Sequence, residues 1–268
     1  MASPLDVFQP GVLAGHVALI TGGGTGICRG IAIAYARLGA DVCLVSRKQD
    51  VLDATAGAIA AEAGRTPLAI AADVRDAASI QRAIEACAAR FGKLDTVVNG
   101  AAGNFLAPAA GLSPNGFRTV VDIDLNGTFN TSRSAFEALQ KAGDGLILNI
   151  SATLHYHGTP LQIHAAAAKA GVDAITRNLA VEWGRFGVRV CGIAPGPIAG
   201  TEGMRRLAPG AAMDRALALI PAGRLGAIDE IAATAVFLRS RAAAYVTGHT
   251  LVVDGGMCVA RPPIGLEP

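Results

Sequence analysis

Short apolar segments alternate with longer segments of helical periodicity along the whole chain, and this alternation constrains the fold most strongly. The segments typical of buried strands are 16–21, 41–46, 67–71, 95–99, 145–151, 188–193 and 250–253. The segments that predict helices are 25–38, 49–63, 77–91, 114–141, 162–184 and 228–238. Because such an alternation builds βαβ units, we predict an α/β fold: one doubly wound domain of about seven parallel strands with helices on both faces.

The chain length fits a single domain. With 268 residues, of which 51% are hydrophobic, the chain has enough apolar surface for one large core, and no linker or repeat divides it. We therefore expect one domain over residues 1–268. Residues 194–221 interrupt the alternation with prolines and glycines, which predicts a flap that closes over a substrate.

Composition argues against several partners. The formal net charge is only +2, so we expect no basic surface for nucleic acid. No apolar run reaches the ~18 residues that cross a bilayer, so we expect no membrane association. The five cysteines never form a C-x-x-C pair, which predicts neither disulfides nor a metal site. No signal peptide is recognisable, and residues 265–268 are not the S-K-L address, so we expect a cytoplasmic protein.

A glycine-rich turn, TGGGTGIC at residues 21–28, joins the first predicted strand to the first predicted helix. At such a turn the N–H groups of the helix N-terminus can bind a diphosphate, and glycines let it approach the backbone. The turn therefore predicts dinucleotide binding rather than an ordinary tight turn. The expected contacts come from Thr21, Gly22, Gly24, Thr25, Gly26 and Ile27.

The spacing of these glycines resembles T-G-x-x-x-G-x-G of the short-chain dehydrogenase/reductase family, which has a Rossmann-type fold. Cys28 stands at the family's last glycine, and we expect its side chain to crowd the cofactor or shift the helix. Arg47 and Lys48 follow the second strand, where basic residues suit the 2′-phosphate of NADP, although a solvated basic turn is the alternative. The resemblance implies further cofactor contacts from Asp73, Val74, Asn99, Ala101, Lys169, Pro195, Gly196, Ile198 and Thr201.

The catalytic positions depart from the common family pattern. Members that oxidise alcohols carry a Ser and a Y-x-x-x-K pair, but counting back from Lys169 gives Ala165 and Ala152 at the Tyr and Ser positions. None of the three tyrosines has a lysine four residues later, and Asp124 takes the family's Asn position. Such an enzyme can still deliver hydride to an acceptor that needs no proton on a carbonyl oxygen, for example a conjugated C=C beside a thioester.

Five blocks resemble the peroxisomal-type 2,4-dienoyl-CoA reductase branch, namely residues 99–108, 122–130, 152–154, 164–170 and 194–203. The resemblance implies that Asp124 and Lys169 position a water that supplies a proton, while NADPH reduces a 2,4-dienoyl-CoA to a 3-enoyl-CoA in fatty acid β-oxidation. The alternatives are a solvent-facing acid at Asp124 and a lysine at 169 that only holds the nicotinamide ribose. His164 is not expected to be catalytic, because it points about 100° from the vacant Tyr position.

The resemblance also implies the substrate contacts and the assembly. An acyl-CoA thioester would contact Arg47, Arg75, Phe105, Ser113, Asn115 and Arg206. By analogy with the family we expect a homotetramer. Two other functions remain open: a catalytically idle NADP-binding protein, and a carbonyl reductase that uses Tyr156 as its proton donor.

Overall fold

The computed structural model describes residues 3–207 and 217–260. Its strands are β1 (Val17–Thr21), β2 (Asp41–Ser46), β3 (Leu68–Ala71), β4 (Thr96–Asn99), β5 (Gly145–Ile150), β6 (Val188–Pro195) and β7 (Thr250–Val253). Within the described ranges they form one parallel sheet in the order β3-β2-β1-β4-β5-β6-β7. The predicted α/β fold with seven parallel strands is confirmed.

In the described ranges, the helices longer than a single turn follow the predicted pattern closely. They are α1 (Gly26–Arg37), α2 (Gln49–Ala63), α3 (Ala77–Phe91), α4 (Pro114–Val121), α5 (Gly127–Ala142), α6 (Ile163–Trp183), α7 (Glu202–Leu207) and α8 (Ile228–Arg239). One apolar cluster packs α1, α2 and α8 on one face of the sheet, and a second packs α3, α5 and α6 on the other. In β1, Ala18 and Ile20 join the first cluster, while Val17 and Leu19 join the second, as the two-residue strand period requires.

The predicted helix 114–141 contains a π turn. The Asp122–Asn126 segment separates α4 from α5, and the Gly127 N–H bonds to the Asp122 carbonyl, five residues back. Gly127 also packs closely on Val74, because a Cβ on Gly127 would lie 2.5 Å from Val74 Cγ2. One extra residue in a helical turn re-aims the side chains there, and π turns are frequent at functional sites. This turn carries Asp124.

The strands end at the edge of the sheet where the predicted motifs converge. The strand order reverses between β1 and β4, because β1 to β3 extend the sheet on one side and β4 to β7 on the other, and such a switch point opens a crevice at the carboxyl ends of the strands. β6 extends to Pro195, so the predicted flap starts later than residue 194, and its residues 208–216 lie outside the described part. In the described ranges, no helix combines the length and apolarity that a membrane crossing requires.

Candidate active site

A cleft of about 630 Å³ opens at the carboxyl ends of the strands. Its walls come from the turn between β1 and α1 and from the segments that follow β2, β4, β5 and β6. This is the position at which open α/β sheets bind ligands.

The glycine turn is shaped to receive a diphosphate. Gly22 has φ +69°, and a Cβ there would lie 2.8 Å from the Gly100 carbonyl oxygen. Gly26, with φ +55°, begins α1 and lines the cleft, and a Cβ on it would meet nothing within 4 Å. The helix N-terminus therefore faces open space, which fits a bound dinucleotide. Thr21 lies beneath, and its Oγ1 accepts the Gly100 N–H at 3.0 Å.

Cys28 packs against another glycine. Its Sγ lies 1.9 Å from the point where a Cβ on Gly100 would stand, so the absence of a side chain at Gly100 makes room for the thiol. Burial raises the pKa of Cys28 to about 12, so the thiol is neutral at physiological pH. Cys28 is among the residues that line the cleft, and α1 begins at Gly26.

The cleft reaches the ends of β2 and β3. Ser46 and Arg47 line it, and Arg47 is exposed, so its guanidinium is available to an anionic group. Asp73 also lines the cleft and accepts the Arg75 Nε–H at 3.0 Å. The hydrogen bond from Arg75 lowers the pKa of Asp73 and keeps it ionised. Arg75 is thus engaged by Asp73 rather than directed into the cleft.

Asp124 and Lys169 form a buried ion pair at the centre of the site. Lys169 Nζ lies 3.4 Å from Asp124 Oδ2 and donates to the Ile150 carbonyl at 2.8 Å. Asp124 Oδ1 accepts the Gly103 N–H at 2.7 Å, and only 1% of Asp124 is exposed, so it does not face solvent. Burial raises the pKa of Asp124, and the positive charge of Lys169 opposes that shift. Lys169 lines the cleft, and Asp124 lies behind it.

No phenol lines this cleft within the described residues. Ala152 lines it, and Ala165 is buried, so the positions of the usual Ser and Tyr carry only methyl groups. The Tyr156 hydroxyl donates to Asp173 Oδ2 at 2.9 Å, and His155 Nε2 contacts the same oxygen at 2.8 Å. Burial and the hydrogen bond to Asp173 raise the pKa of Tyr156, which makes it a poor proton donor here.

The cleft brings together most of the residues predicted to bind the cofactor. Those in its lining are Gly22, Thr25, Gly26, Ile27, Arg47, Asp73, Val74, Ala101, Lys169, Pro195, Gly196, Ile198 and Thr201. Those outside the lining are Thr21, Gly24, Lys48 and Asn99. Asn99 is buried and donates to Asn149 Oδ1 at 2.9 Å, so it ties β4 to β5.

The residues predicted to bind substrate are more scattered. Arg47 lines the cleft, but the other residues predicted to bind substrate lie outside its lining: Arg75, Phe105, Ser113, Asn115 and Arg206. The Ser113 side chain caps α4 by accepting the Gly116 N–H at 3.0 Å. Arg206 is exposed on α7 and pairs with Glu202, which does line the cleft.

The sequence analysis did not identify a polar pair of residues that lines the cleft. Asn104 and Gln162 line the cleft, and Asn104 Nδ2 donates to Gln162 Oε1 at 2.7 Å. Asn104 lies inside one of the recognised blocks and Gln162 just before another. The sequence signal that could have identified this pair is an amide side chain flanked by apolar residues at each of the two positions.

The geometry defines a dinucleotide-binding oxidoreductase of the α/β class. A family model described as "Enoyl-(Acyl carrier protein) reductase" matches residues 22–258, and the chain belongs to the short-chain dehydrogenase/reductase family. It is 47% identical over 264 residues to the peroxisomal 2,4-dienoyl-CoA reductase [(3E)-enoyl-CoA-producing] of Arabidopsis thaliana, covering 95% of this chain and 88% of that one. The protein of the same name from Danio rerio is 48% identical over 252 residues, covering 93% and 84%. A crystal structure of a gluconate 5-dehydrogenase from Burkholderia cenocepacia J2315 with NADP and tartrate has a TM-score of 0.87 at 31% identity, covering 92% of this chain and 97% of that one.

These relatives correct one expectation. We expected a cytoplasmic protein, but the relatives from Arabidopsis thaliana and Danio rerio are both named peroxisomal. The expectation of a cytoplasmic location is therefore wrong. It relied on the absence of S-K-L at residues 265–268, and these residues lie outside the described part of the chain.

Proposed function

We propose that this protein reduces 2,4-dienoyl-CoA thioesters to 3-enoyl-CoA thioesters with NADPH, in the β-oxidation of unsaturated fatty acids. One observation carries the proposal: a buried Asp124–Lys169 pair lies at a cleft in which the described residues supply no phenol. The two 2,4-dienoyl-CoA reductases similar to this chain support the substrate class.

The cofactor follows from the shape and charge of the cleft. Gly22 and Gly26 leave room for a diphosphate at the N-terminus of α1, and exposed Arg47 offers a guanidinium to a 2′-phosphate. The NADP in the gluconate 5-dehydrogenase structure supports the same choice. When bound there, NADPH would supply the hydride, and the diene carbon that would accept it is C5.

Lys169 and Asp124 then have separate tasks. Hydride addition at C5 moves negative charge through the diene to the thioester oxygen and C2, and the Lys169 ammonium stabilises that charge. Asp124 fixes Lys169 and, with it, a water whose proton goes to C2, which leaves the double bond between C3 and C4. The Gly103 N–H and the Ile150 carbonyl hold the two charged groups in place. Burial of the pair lowers the local dielectric constant, which strengthens each of these electrostatic interactions.

The test is direct. Wild-type protein mixed with NADPH and 2,4-hexadienoyl-CoA should consume NADPH at 340 nm and yield 3-hexenoyl-CoA. Asp124→Ala should lose roughly 100-fold or more in kcat, the range of a lost acid–base group, while its NADPH affinity stays unchanged. An absence of turnover with all dienoyl and enoyl thioesters would refute the proposal.

We also propose a homotetramer. Phe129 on α5 and Ile163 and Val181 on α6 are apolar and exposed by 49%, 49% and 84%. Ala166 and Ala167 of α6 are small and not buried within the chain, which permits close packing of a partner helix. Light scattering of the purified protein should give four times the chain mass of 27.1 kDa, and a monomer would contradict this assembly.

A further inference from the structure

Two segments that border the cleft are joined at several points. Asn104, after β4, donates to Gln162, which precedes α6, at 2.7 Å. Next to this pair, the ring of Phe105 lies 4.4 Å from the ring of His164, centroid to centroid. We call residues 103–107 and 161–164 together the substrate wall. It contains both an amide pair in the cleft lining and an aromatic pair beside it.

The backbone completes the connection. The Ala107 N–H donates to the Leu161 carbonyl at 2.9 Å, and Leu161 has φ +65°. In the described residues it is the one non-glycine residue with a left-handed backbone. Leucine adopts that conformation only where its surroundings over-determine it, and such positions cluster at ligand sites. The wall is therefore held in one arrangement by side chains and backbone together.

His164 contributes a ring face rather than a hydrogen bond. It is fully buried, and neither ring nitrogen has a hydrogen-bond partner within the described residues. Phe105, by contrast, is 40% exposed, so its ring rests on His164 on one side and is open on the other. Removing the His164 ring would let Phe105 sink into the space it leaves.

The wall is also coupled to the ion pair. Gly103, the residue before Asn104, donates its N–H to Asp124 at 2.7 Å. A shift of the wall at Asn104 or Phe105 therefore moves a group that is bonded to the Asp124 carboxylate.

We propose that Gln162 and His164 are positioning residues that, through Asn104 and Phe105, set how far an acyl chain extends beyond the Asp124–Lys169 pair. This inference rests on the proposed function, because the ligand is an acyl thioester. The chain-length preference of the enzyme is then a property of the wall: a rigid wall favours short dienes, and a loosened wall admits longer ones.

The first test changes His164. In His164→Ala, the ratio of kcat/KM for 2,4-decadienoyl-CoA to that for 2,4-hexadienoyl-CoA should rise about tenfold, the discrimination that one methylene or more produces in an apolar pocket. His164→Phe keeps a ring beneath Phe105 and should keep the wild-type ratio. The NADPH dissociation constant should stay the same in both variants. An unchanged ratio in His164→Ala, or an equal loss in His164→Phe, would overturn the inference.

The second test changes Gln162 and does not depend on the folding of the His164 variants. Gln162→Leu removes the acceptor for Asn104 and loosens the wall, so the ratio of kcat/KM for 2,4-decadienoyl-CoA to that for 2,4-hexadienoyl-CoA should rise about tenfold, with NADPH affinity unchanged. Gln162→Glu retains an acceptor oxygen and should keep the wild-type ratio. Gln81→Leu is the matched control, because the Gln81 amide bonds to Glu85 on α3, away from the cleft. Equal ratios for Gln162→Leu and Gln81→Leu would refute the role.

The outcomes separate the two proposals. If wild-type protein does not reduce dienoyl-CoA, the proposed function fails. If it does, and both His164→Ala and Gln162→Leu keep the wild-type chain-length ratio, only the inference about the wall fails.

Discussion

Gly100→Ala should destabilise the protein because of Cys28. The new Cβ would lie 1.9 Å from Cys28 Sγ, whereas nonbonded atoms need roughly 3.5–4.0 Å, so the two atoms must separate by about 2 Å. Thr21 O and Ile150 Cγ1, at 3.2 and 3.4 Å from the Cβ, leave little room on the other sides. Overpacking of this kind costs about 1–3 kcal/mol, which lowers Tm by roughly 3–10 °C for a chain of this size.

A double-mutant cycle measures this contact. Cys28→Ala removes the sulfur and alone should cost about 1 kcal/mol for the small void that it leaves. In Gly100→Ala/Cys28→Ala the clash is gone, so the double variant should be more stable than the sum of the single changes predicts by about 1 kcal/mol or more. Gly57→Ala on α2 is the control, because a Cβ there meets nothing within 4 Å; it should be neutral or stabilising by up to about 1 kcal/mol. Additive single effects in thermal unfolding would refute the reasoning.

Three further changes test charged groups. Arg47→Gln should weaken NADPH binding by about tenfold or more and leave NADH binding unchanged, as fluorescence titration can measure; an equal loss for both nucleotides would argue against a 2′-phosphate contact. Lys169→Met leaves Asp124 buried without its cation, which should cost about 3 kcal/mol in the free energy of unfolding. Because the raised pKa of Asp124 then rises further, that loss should grow as pH increases above 3.8, the ordinary pKa of the carboxyl, and would be pH-independent if Asp124 were solvated. Glu230, held by Arg224 and by the Ala227 N–H, has its pKa lowered to about 2 from 4.5. The stabilisation that ionised Glu230 contributes is present above pH 4.5 and is lost as pH falls towards 2. The difference in Tm between wild type and Glu230→Gln should therefore narrow over that range. A constant difference would contradict the lowered pKa.

The sequence predicted the sheet well because its signals are local. Buried parallel strands appear as apolar runs, and most strand-to-helix turns carry a glycine, asparagine or aspartate, so strand bounds were predicted to within a residue or two. The glycine turn also follows from a local motif, which does not depend on the residues that meet across the fold. The roles expected of Asp124 and Lys169 came instead from the resemblance to a known family.

The parts that were not predictable involve contacts between distant residues. Helical periodicity cannot register the single extra residue of the π turn that carries Asp124. The fit of Cys28 over Gly100 joins residues 72 positions apart, and Asn104 and Gln162 are 58 positions apart. Arg75 turned to Asp73 instead of the cleft, because a guanidinium two residues from a carboxylate finds its fork partner locally.

The most direct measurement of the central claim is product analysis in deuterated water. With NADPH and 2,4-hexadienoyl-CoA, proton supply by an Asp124–Lys169-bound water predicts 3-hexenoyl-CoA with one deuterium at C2 and none at C5, by NMR. Asp124→Ala should make that product far more slowly. A product with solvent deuterium at C5, or turnover of ordinary ketones at a comparable rate by both wild type and Asp124→Ala, would contradict the account.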